Sequence, residues 1–327
     1  MPASPPPPSV APVPRWGWFV ATLVAVGLLV WSARRVDLGA VAGELARVRP
    51  GWLLLALAGY AFTIAIWTAL WRSWAQSVRP TGWGAMAGVT LLLLLGANTL
   101  PFFGGHALGV ALLVRSAGLP LAAALSILTV DQLLEGLAKV ACLLTAAAVS
   151  PVAPWLTGAL AVIGAGAALV LIGMRVAARL RRDGRGAEWI LRFGRLGGFV
   201  RDWAGHLGVL RDGRRFALGL AVALTVKAGE AAALFCVQRA LDVSLPLSHL
   251  PLVLCATQVA GMLPVSPGNL GVYEAAAMVT YAGLGVPDAT ALGLALLQHA
   301  AYLGVVIFPG LGLLVWRSLR RGAEAGR

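Results

Sequence analysis

Charge is scarce in this chain. Asp, Glu, Lys and Arg make up 12% of its 327 residues, and 59% are hydrophobic, against about 25% charged in soluble domains. Mean hydropathy is +0.83, which excludes an ordinary soluble domain. Alternating segments of about 10 residues are absent, which excludes a membrane β-barrel. No G-x-x-x-x-G-K-[ST], H-E-x-x-H or G-x-S-x-G motif occurs, so nucleotide hydrolysis, zinc proteolysis and serine-type acyl transfer have no foothold. Cysteine is limited to Cys142, Cys236 and Cys255. Each lies in an apolar run without metal or disulfide spacing and reads as a small buried apolar residue. Neither a cofactor nor a metal is expected. Lysine is almost missing too: Lys139 and Lys227 are the only two, and every other basic residue is arginine.

What the chain does have is long apolar runs, near 16–33, 52–71, 83–100, 103–116, 120–149, 154–174, 216–240, 249–266, 268–284 and 289–316. Many reach about 20 residues, enough to cross a hydrocarbon core of about 30 Å. The expected fold class is an all-α polytopic integral membrane protein. The Pro-rich stretch 1–15 reads as a disordered tail, 16–316 as the transmembrane domain and 317–327 as a basic tail.

Arginine gives the orientation. The stretch 175–215 carries eleven arginines against four acids, and the end of the chain adds Arg317, Arg320, Arg321 and Arg327. Both are expected in the cytoplasm, with both termini. The net charge of +13 is explained by this loop bias, and no nucleic-acid partner is expected. Residues 34–51 oppose the rule: they count as external yet hold Arg34, Arg35, Arg47 and Arg49. Within 175–215, Trp189, Phe193, Leu196, Val200, Trp203, Leu207 and Leu210 share one helical face. That face is expected either on the headgroup layer or packed under the bundle.

Two segments resemble each other. LPFFGGHALGVALLVRSAGLP begins at Leu100 and LPVSPGNLGVYEAAAMVTYAGLG at Leu263. Leu100-Pro101 aligns with Leu263-Pro264, Gly105 with Gly268, and Ala117-Gly118-Leu119 with Ala282-Gly283-Leu284. Each copy is an apolar run, a Pro/Gly break, a short helix, a turn and a long helix, giving repeat units at about 83–149 and 249–316. By the arginine count the first starts and ends inside and the second outside. An inverted repeat is therefore expected, with two broken hairpins that either cross fully or re-enter.

Backbone groups freed by such breaks are tolerated in a bilayer only against protein or a wet cavity. A transport site is therefore expected where the breaks meet. Ser266 and Pro267 read as the cap and first residue of a helix, so that amides at 267–271 would form an anion site. Gly268, Asn269, Gly271 and Glu274 complete that side. Asn98, Gly104, Gly105 and His106 line the first break. Asp131, Gln132, Glu135, Gln258 and His299 supply polar groups on neighbouring runs. Asp131, Glu135 and Lys139 share one helix face, and Lys227 and Glu230 lie three apart. Such charges need partners at depth. Glu135–Lys139 and Glu230–Lys227 pairing is expected, with Glu274, Asp131 and Glu135 facing the cleft.

LPVSPGNLGVYEAA resembles the P-G-G-L-G-x-x-E-A element of the lysylphosphatidylglycerol synthase transmembrane, or flippase-like, family. LPFFGGHALGVALLVRSAGLPLAAAL with Asp131 and Glu135 resembles that family's first-half element. The resemblance implies a bacterial or archaeal inner-membrane protein whose best-known relatives move aminoacylated phospholipid. It places Pro267, Gly268, Leu270, Gly271, Glu274 and Ala275 in the family's pattern. It also implies arginine where this chain has Phe103, Gly109, Gln132 and Tyr273, and an acid at His106. The soluble domain of full-length synthases is not expected, so no aminoacyl transfer is expected. The leading expectation is a lipid translocase without enzymatic activity, its partners being membrane lipids. The alternatives are an ion-coupled small-solute transporter or a non-transporting partner of a lipid- or glycan-modifying enzyme. A membrane acyltransferase built on His106 or His299 is more distant.

Overall fold

The computed structural model describes residues 15–100, 104–149, 158, 161–173, 194–207, 212–262 and 266–325. It is all-α, with no strand among the described residues. The helices are α1 (Arg15–Arg34), α2 (Leu38–Ala46), α3 (Pro50–Gln76), α4 (Trp83–Thr99), α5 (Gly104–Arg115) and α6 (Leu121–Val149). There follow α7 (Ala161–Gly173), α8 (Gly194–His206), α9 (Gly213–Ala240), α10 (Leu250–Gly261), α11 (Val272–Gly283) and α12 (Asp288–Ala325). Single 3₁₀ turns occupy Leu247–His249 and Pro267–Asn269.

Local sequence sets several boundaries. Asp37 caps α2 by accepting from the Gly39 amide at 2.8 Å. Asp212 caps α9, accepting from the amides of Arg214 and Arg215 at 3.0 and 3.3 Å. Pro50 opens α3, where its missing donor costs nothing. Four helices are long and apolar enough to cross a membrane: α3, α6, α9 and the Asp288–Arg320 part of α12. The chain is thus a multi-pass membrane protein. By contrast α5, α10 and α11 have 12 residues each, about 18 Å at 1.5 Å per residue.

The order long, short, short, long occurs twice: α3 to α6 and α9 to α12. Packing follows the same exchange. α4 pairs with α5, and α10 with α11. The hairpin of each half rests on the long helix of the other, α4 on α12 and α10 on α6. Between the halves, α3 lies antiparallel along α9. Small residues make that seam: a Cβ on Gly229 would come 2.6 Å from Thr63 Cγ2, and one on Gly59 3.3 Å from Ala233 Cβ. Lipid adds little drive between helices, so such close backbone contact does the holding.

The connections gather at two ends. At one, Arg79 donates to the Gly118 carbonyl and Arg72 to that of Thr81, and Arg317 lies over Gly88. At the other, Arg49 pairs with Asp242 at 2.8 Å and Glu44 accepts from Thr290 at 3.4 Å. The arginine-bearing segment 34–51 therefore shares an end with the arginine-free loops. Part of its charge is met by Asp242.

Of the amphipathic stretch 175–215, the described part packs under the bundle. The Trp203 carbonyl accepts from Ser126 at 2.9 Å, and Leu207 is buried in the core around α3 and α6, while Arg201 and Asp202 are exposed. Trp189, Phe193 and Leu210 lie outside the described residues, as do most of the tail 1–15 and the loop 150–153. At the other terminus, α12 runs on to Ala325, so the segment expected as a basic tail continues a helix.

Candidate functional site

Tyr302 lies midway between Asp288 and Arg317 on α12, about 21 Å from each. Both breaks arrive at this level. α4 ends at Thr99, and Asn98, one residue earlier, donates to the Leu94 carbonyl at 2.9 Å and reaches the Tyr302 hydroxyl at 3.5 Å. The second break lies against the same place: a Cβ on Gly268 would come 3.1 Å from the Asn98 carbonyl oxygen and 3.9 Å from Leu303 Cδ2. Pro101, Phe102 and Phe103 of the first break, and Leu263, Pro264 and Val265 of the second, lie outside the described residues.

The second break is built differently from its sequence expectation. Gly268 and Asn269 both adopt positive φ, 62° and 55°, and Gly271 has φ 83°. No α-helix runs through such angles, so α11 starts only at Val272. Ser266 does not cap it; its hydroxyl donates to the Leu270 carbonyl at 2.8 Å. Three of the amides expected to face an anion, those of Asn269, Leu270 and Gly271, have acceptors inside the chain. Asn269 and Leu270 donate to the carbonyls of Ser266 and Pro267. The Gly271 amide donates to Glu274 Oε2 at 2.6 Å. The positive end of α11 thus already holds a carboxylate, its own Glu274.

Glu274 and His299 are both almost fully buried. Glu274 Oε1 lies 2.6 Å from His299 Nδ1. An ionised carboxylate only accepts, so in that state Nδ1 carries the proton. The Tyr273 ring stacks on the imidazole, with centroids 4.2 Å apart and planes at 23°. Tyr60 of α3 meets Tyr302 edge-on at 5.7 Å. The chain has four tyrosines. Three, Tyr60, Tyr273 and Tyr302, surround the breaks. The fourth, Tyr281, donates to Gln298 at 3.0 Å and accepts from Gln238 at 3.3 Å.

A second polar cluster sits where α6, α9 and α10 meet. Lys227 Nζ lies 2.8 Å from Glu135 Oε1 and 3.0 Å from Glu230 Oε2. Lys139 adds a 3.3 Å contact to Glu135, and Gln258 donates to Glu230 at 2.9 Å. The two pairings expected from spacing are present, and the Glu135–Lys227 contact between helices joins them. A small cavity of about 10 Å³ adjoins the cluster, lined by Lys139, Cys142, Leu143, Lys227, Leu254, Cys255, Gln258 and Val259. Both lysines of the chain are among its walls. Two of the cysteines read as inert packing, Cys142 and Cys255, are there too.

Asp131 does not line this cavity. Its Oδ1 accepts from the indoles of Trp67 and Trp71, each at 2.7 Å, and its Oδ2 from Gln132 at 3.2 Å. Two tryptophans one turn apart on α3 hold it as an anchor between α3 and α6. Gly105 is also a packing residue. A Cβ there would fall 2.2 Å from the Ala97 backbone nitrogen, and one on Gly109 2.3 Å from Leu93 Cδ1. Gly104 opens α5 beside Leu100, and His106 is half-buried on the same helix. Of the positions where the resemblance implies arginine, Gly109 has no room for one, Tyr273 covers His299 and Gln132 braces Asp131. Sequence reading missed Trp67, Trp71, Tyr60 and Tyr302. Their signal was polar-tipped aromatics inside apolar runs, where the N–H or O–H needs a partner.

The family described as lysylphosphatidylglycerol synthase TM region matches residues 18–310. No curated protein matches the chain.

Proposed function

The chain belongs to the lysylphosphatidylglycerol synthase transmembrane family, and from that premise we propose that it translocates lipid across the membrane without modifying it. In this reading the two broken hairpins re-enter from opposite faces. A headgroup passes at mid-depth where they meet, while the acyl chains remain in the bilayer. The observation that carries the reading is this meeting point: Asn98 and Gly268, one from each break, are in contact beside Tyr302 of α12. The recurring helix order and the exchanged packing of hairpins on long helices support an inverted repeat, the arrangement that places transporter sites at mid-depth. The 18 Å hairpin helices support re-entry over full crossing. Arginine on the end that carries Arg79, α8 and Arg317 supports a cytoplasmic assignment for that end and for both termini. The family supports a prokaryotic inner membrane as the location.

Glu274 and His299 are the moving parts in this reading. Their contact ties α11 to α12 beside the break, and its breakage frees a carboxylate and an imidazole for a passing headgroup. The test is fluorescent phospholipid in liposomes holding the purified protein, with dithionite as quencher. Quenching beyond the outer leaflet, slowed at least tenfold by Glu274→Gln, is the expected result. Lipid that stays in its leaflet in the presence of folded protein overturns the reading. Uptake of a labelled solute without lipid movement would favour a solute transporter, and a co-purifying enzyme without any transport a partner role.

A further inference from the structure

We infer that Glu274 and His299 form a one-proton site that couples lipid movement to a proton gradient; this rests on the translocase reading and names the ion that drives it. The two side chains are 2% and 3% exposed, and Glu274 Oε1 lies 2.6 Å from His299 Nδ1. Their own helices bring no other charge: α11 adds only Tyr273 and Tyr281, and α12 only Tyr302 between Asp288 and Arg317. The elements packed on these two helices include α1, α2, α3, α4, α9 and α10. Between Arg15 and Arg34, α1 has no charged residue, and neither α4 nor α10 has one; α10 adds the Cys255 thiol. From α3 come Tyr60 and, near its end, Arg72, which donates to the Thr81 carbonyl. From α2 comes Glu44, which accepts from Thr290 at the start of α12. Away from its ends, α9 brings Lys227 and Glu230, which are balanced within the cluster they form with Glu135 and Lys139. The breaks themselves, 98–105 and 261–271, contain no charged residue.

That isolation fixes a proton count. With a proton on Nδ1 alone, the pair carries one net negative charge, and a membrane interior tolerates an uncompensated charge poorly. The Gly271 amide, 2.6 Å from Oε2, softens that charge without cancelling it. One further proton on Nε2 sets an imidazolium against the carboxylate, and the total is zero. The Tyr273 ring lies over the imidazole at 4.2 Å, and an aromatic face favours a cation above it. Asp131, the other buried acid without a basic partner, differs: three N–H donors surround it, and none of them takes up a proton. The closed arrangement, with both side chains buried, is therefore the proton-loaded one. Losing the proton to water leaves a lone negative charge that favours hydration, so the break opens; regaining a proton closes it. A site that fills from one face and empties toward the other turns a proton gradient into lipid movement.

Hydrogen exchange of residues 266–283 tests the proton site. It is followed by mass spectrometry on the purified protein in detergent and corrected for the intrinsic pH dependence of exchange. Raising the pH from about 6 to about 8, the range in which histidine changes charge, should lower the protection of this segment at least fivefold. Glu274→Gln makes the pair neutral without the second proton, so its trend should vanish or reverse. His299→Gln keeps a donor toward Glu274 but cannot hold the proton, so its trend should shrink at least threefold. No trend in the parent, or the parent's trend undiminished in a folded variant, overturns the proton site. Coupling is tested in liposomes with acyl-labelled phosphatidylcholine, phosphatidylethanolamine and phosphatidylglycerol in turn, dithionite as quencher and protein-free liposomes as the blank. A pH gradient should speed crossing of the transported lipid at least fivefold, and a protonophore should remove the gain. Crossing that ignores the gradient overturns the coupling and leaves translocation standing. A pH-dependent break with no crossing of any of the three lipids would uphold the proton site and sink translocation.

Discussion

Where α9 crosses α6, Lys227 meets Glu135 at 2.8 Å. Where α3 crosses α12, Tyr60 meets Tyr302 with ring centroids 5.7 Å apart. Glu135 and Tyr302 stand at the same place counted from Leu121 and Asp288, the first residues of α6 and α12. The two crossings thus fall at matching counts along α6 and α12, one carrying ions and the other aromatic rings. The anchors one turn earlier compare in the same way. Asp131 and Gln298 are matched in position; Asp131 accepts from two indoles and Gln298 from the Tyr281 hydroxyl. One frame thus supports two kinds of contact. The ionic crossing borders the small cavity lined by Lys139 and Lys227. The aromatic crossing borders the two breaks and is closed by packing.

The sharpest way to break this comparison is to unbalance the ionic crossing. Lys227→Met leaves two half-buried carboxylates with only Lys139 near them, and removing one partner of a fully buried pair costs about 3–5 kcal/mol, an upper bound here. The purified variant should melt at a much lower temperature than the parent in a thiol-dye or intrinsic-fluorescence assay. Lys227→Met with Glu230→Met restores neutrality and keeps Glu135–Lys139, so most of that loss should return. If the double variant is no more stable than the single one, charge balance does not organise this crossing.

Asp131 offers a middle-sized test on the same face of α6. Trp71→Phe deletes one of the two indole donors to Asp131, where a hydrogen bond to a charged group contributes about 1.5–3 kcal/mol, and the smaller phenyl also leaves a gap in the packing of this fully buried site. The matched change in the other half, Tyr281→Phe, removes neutral hydrogen bonds to Gln298 and Gln238, worth about 0.5–1.5 kcal/mol each. Thermal melts of the two variants should rank Trp71→Phe as the more damaging. The reverse order would mean that the anchors are not equivalent in role.

The sequence made the frame legible because helix length and turn chemistry are local. α6 was expected at 120–149 and is found at 121–149, and the long and short segments were visible in order. Glu135–Lys139 and Lys227–Glu230 were legible from helical spacing. The second break was not. Ser266-Pro267 carries the local signature of a helix start, but three successive demands on φ at Gly268, Asn269 and Gly271 move the start to Val272, and Glu274 then folds back onto the vacated amide. Asp131 was only partly legible, for a different reason. A lone acid in an apolar run looks like a cleft residue until its partners on another helix, Trp67 and Trp71, are known, and no spacing within one helix can reveal them. Gly105 was read as part of the break's polar lining. Its contact with the Ala97 backbone across the hairpin makes it a packing residue, so Gly105→Ala should cost about 1–3 kcal/mol as an overpacked site.

The smallest effect is expected at the aromatic crossing. Tyr302→Phe keeps the ring that meets Tyr60, and edge-on aromatic pairs contribute about 0.5–1.5 kcal/mol beyond burial. It removes only a hydroxyl that Asn98 reaches at 3.5 Å, a length at which a hydrogen bond holds little. Asn98 retains its 2.9 Å contact with the Leu94 carbonyl. The melting temperature should therefore stay within a degree or two of the parent, since about 1 kcal/mol moves it by roughly 2–4 °C in a chain of 150–250 residues and by less in a longer one. The same variant should still alter the rate of lipid crossing, because the hydroxyl sits where the two breaks touch. Loss of stability on the scale of Lys227→Met would show that the aromatic crossing is no looser than the ionic one. An unchanged crossing rate would move the proposed path away from Tyr302.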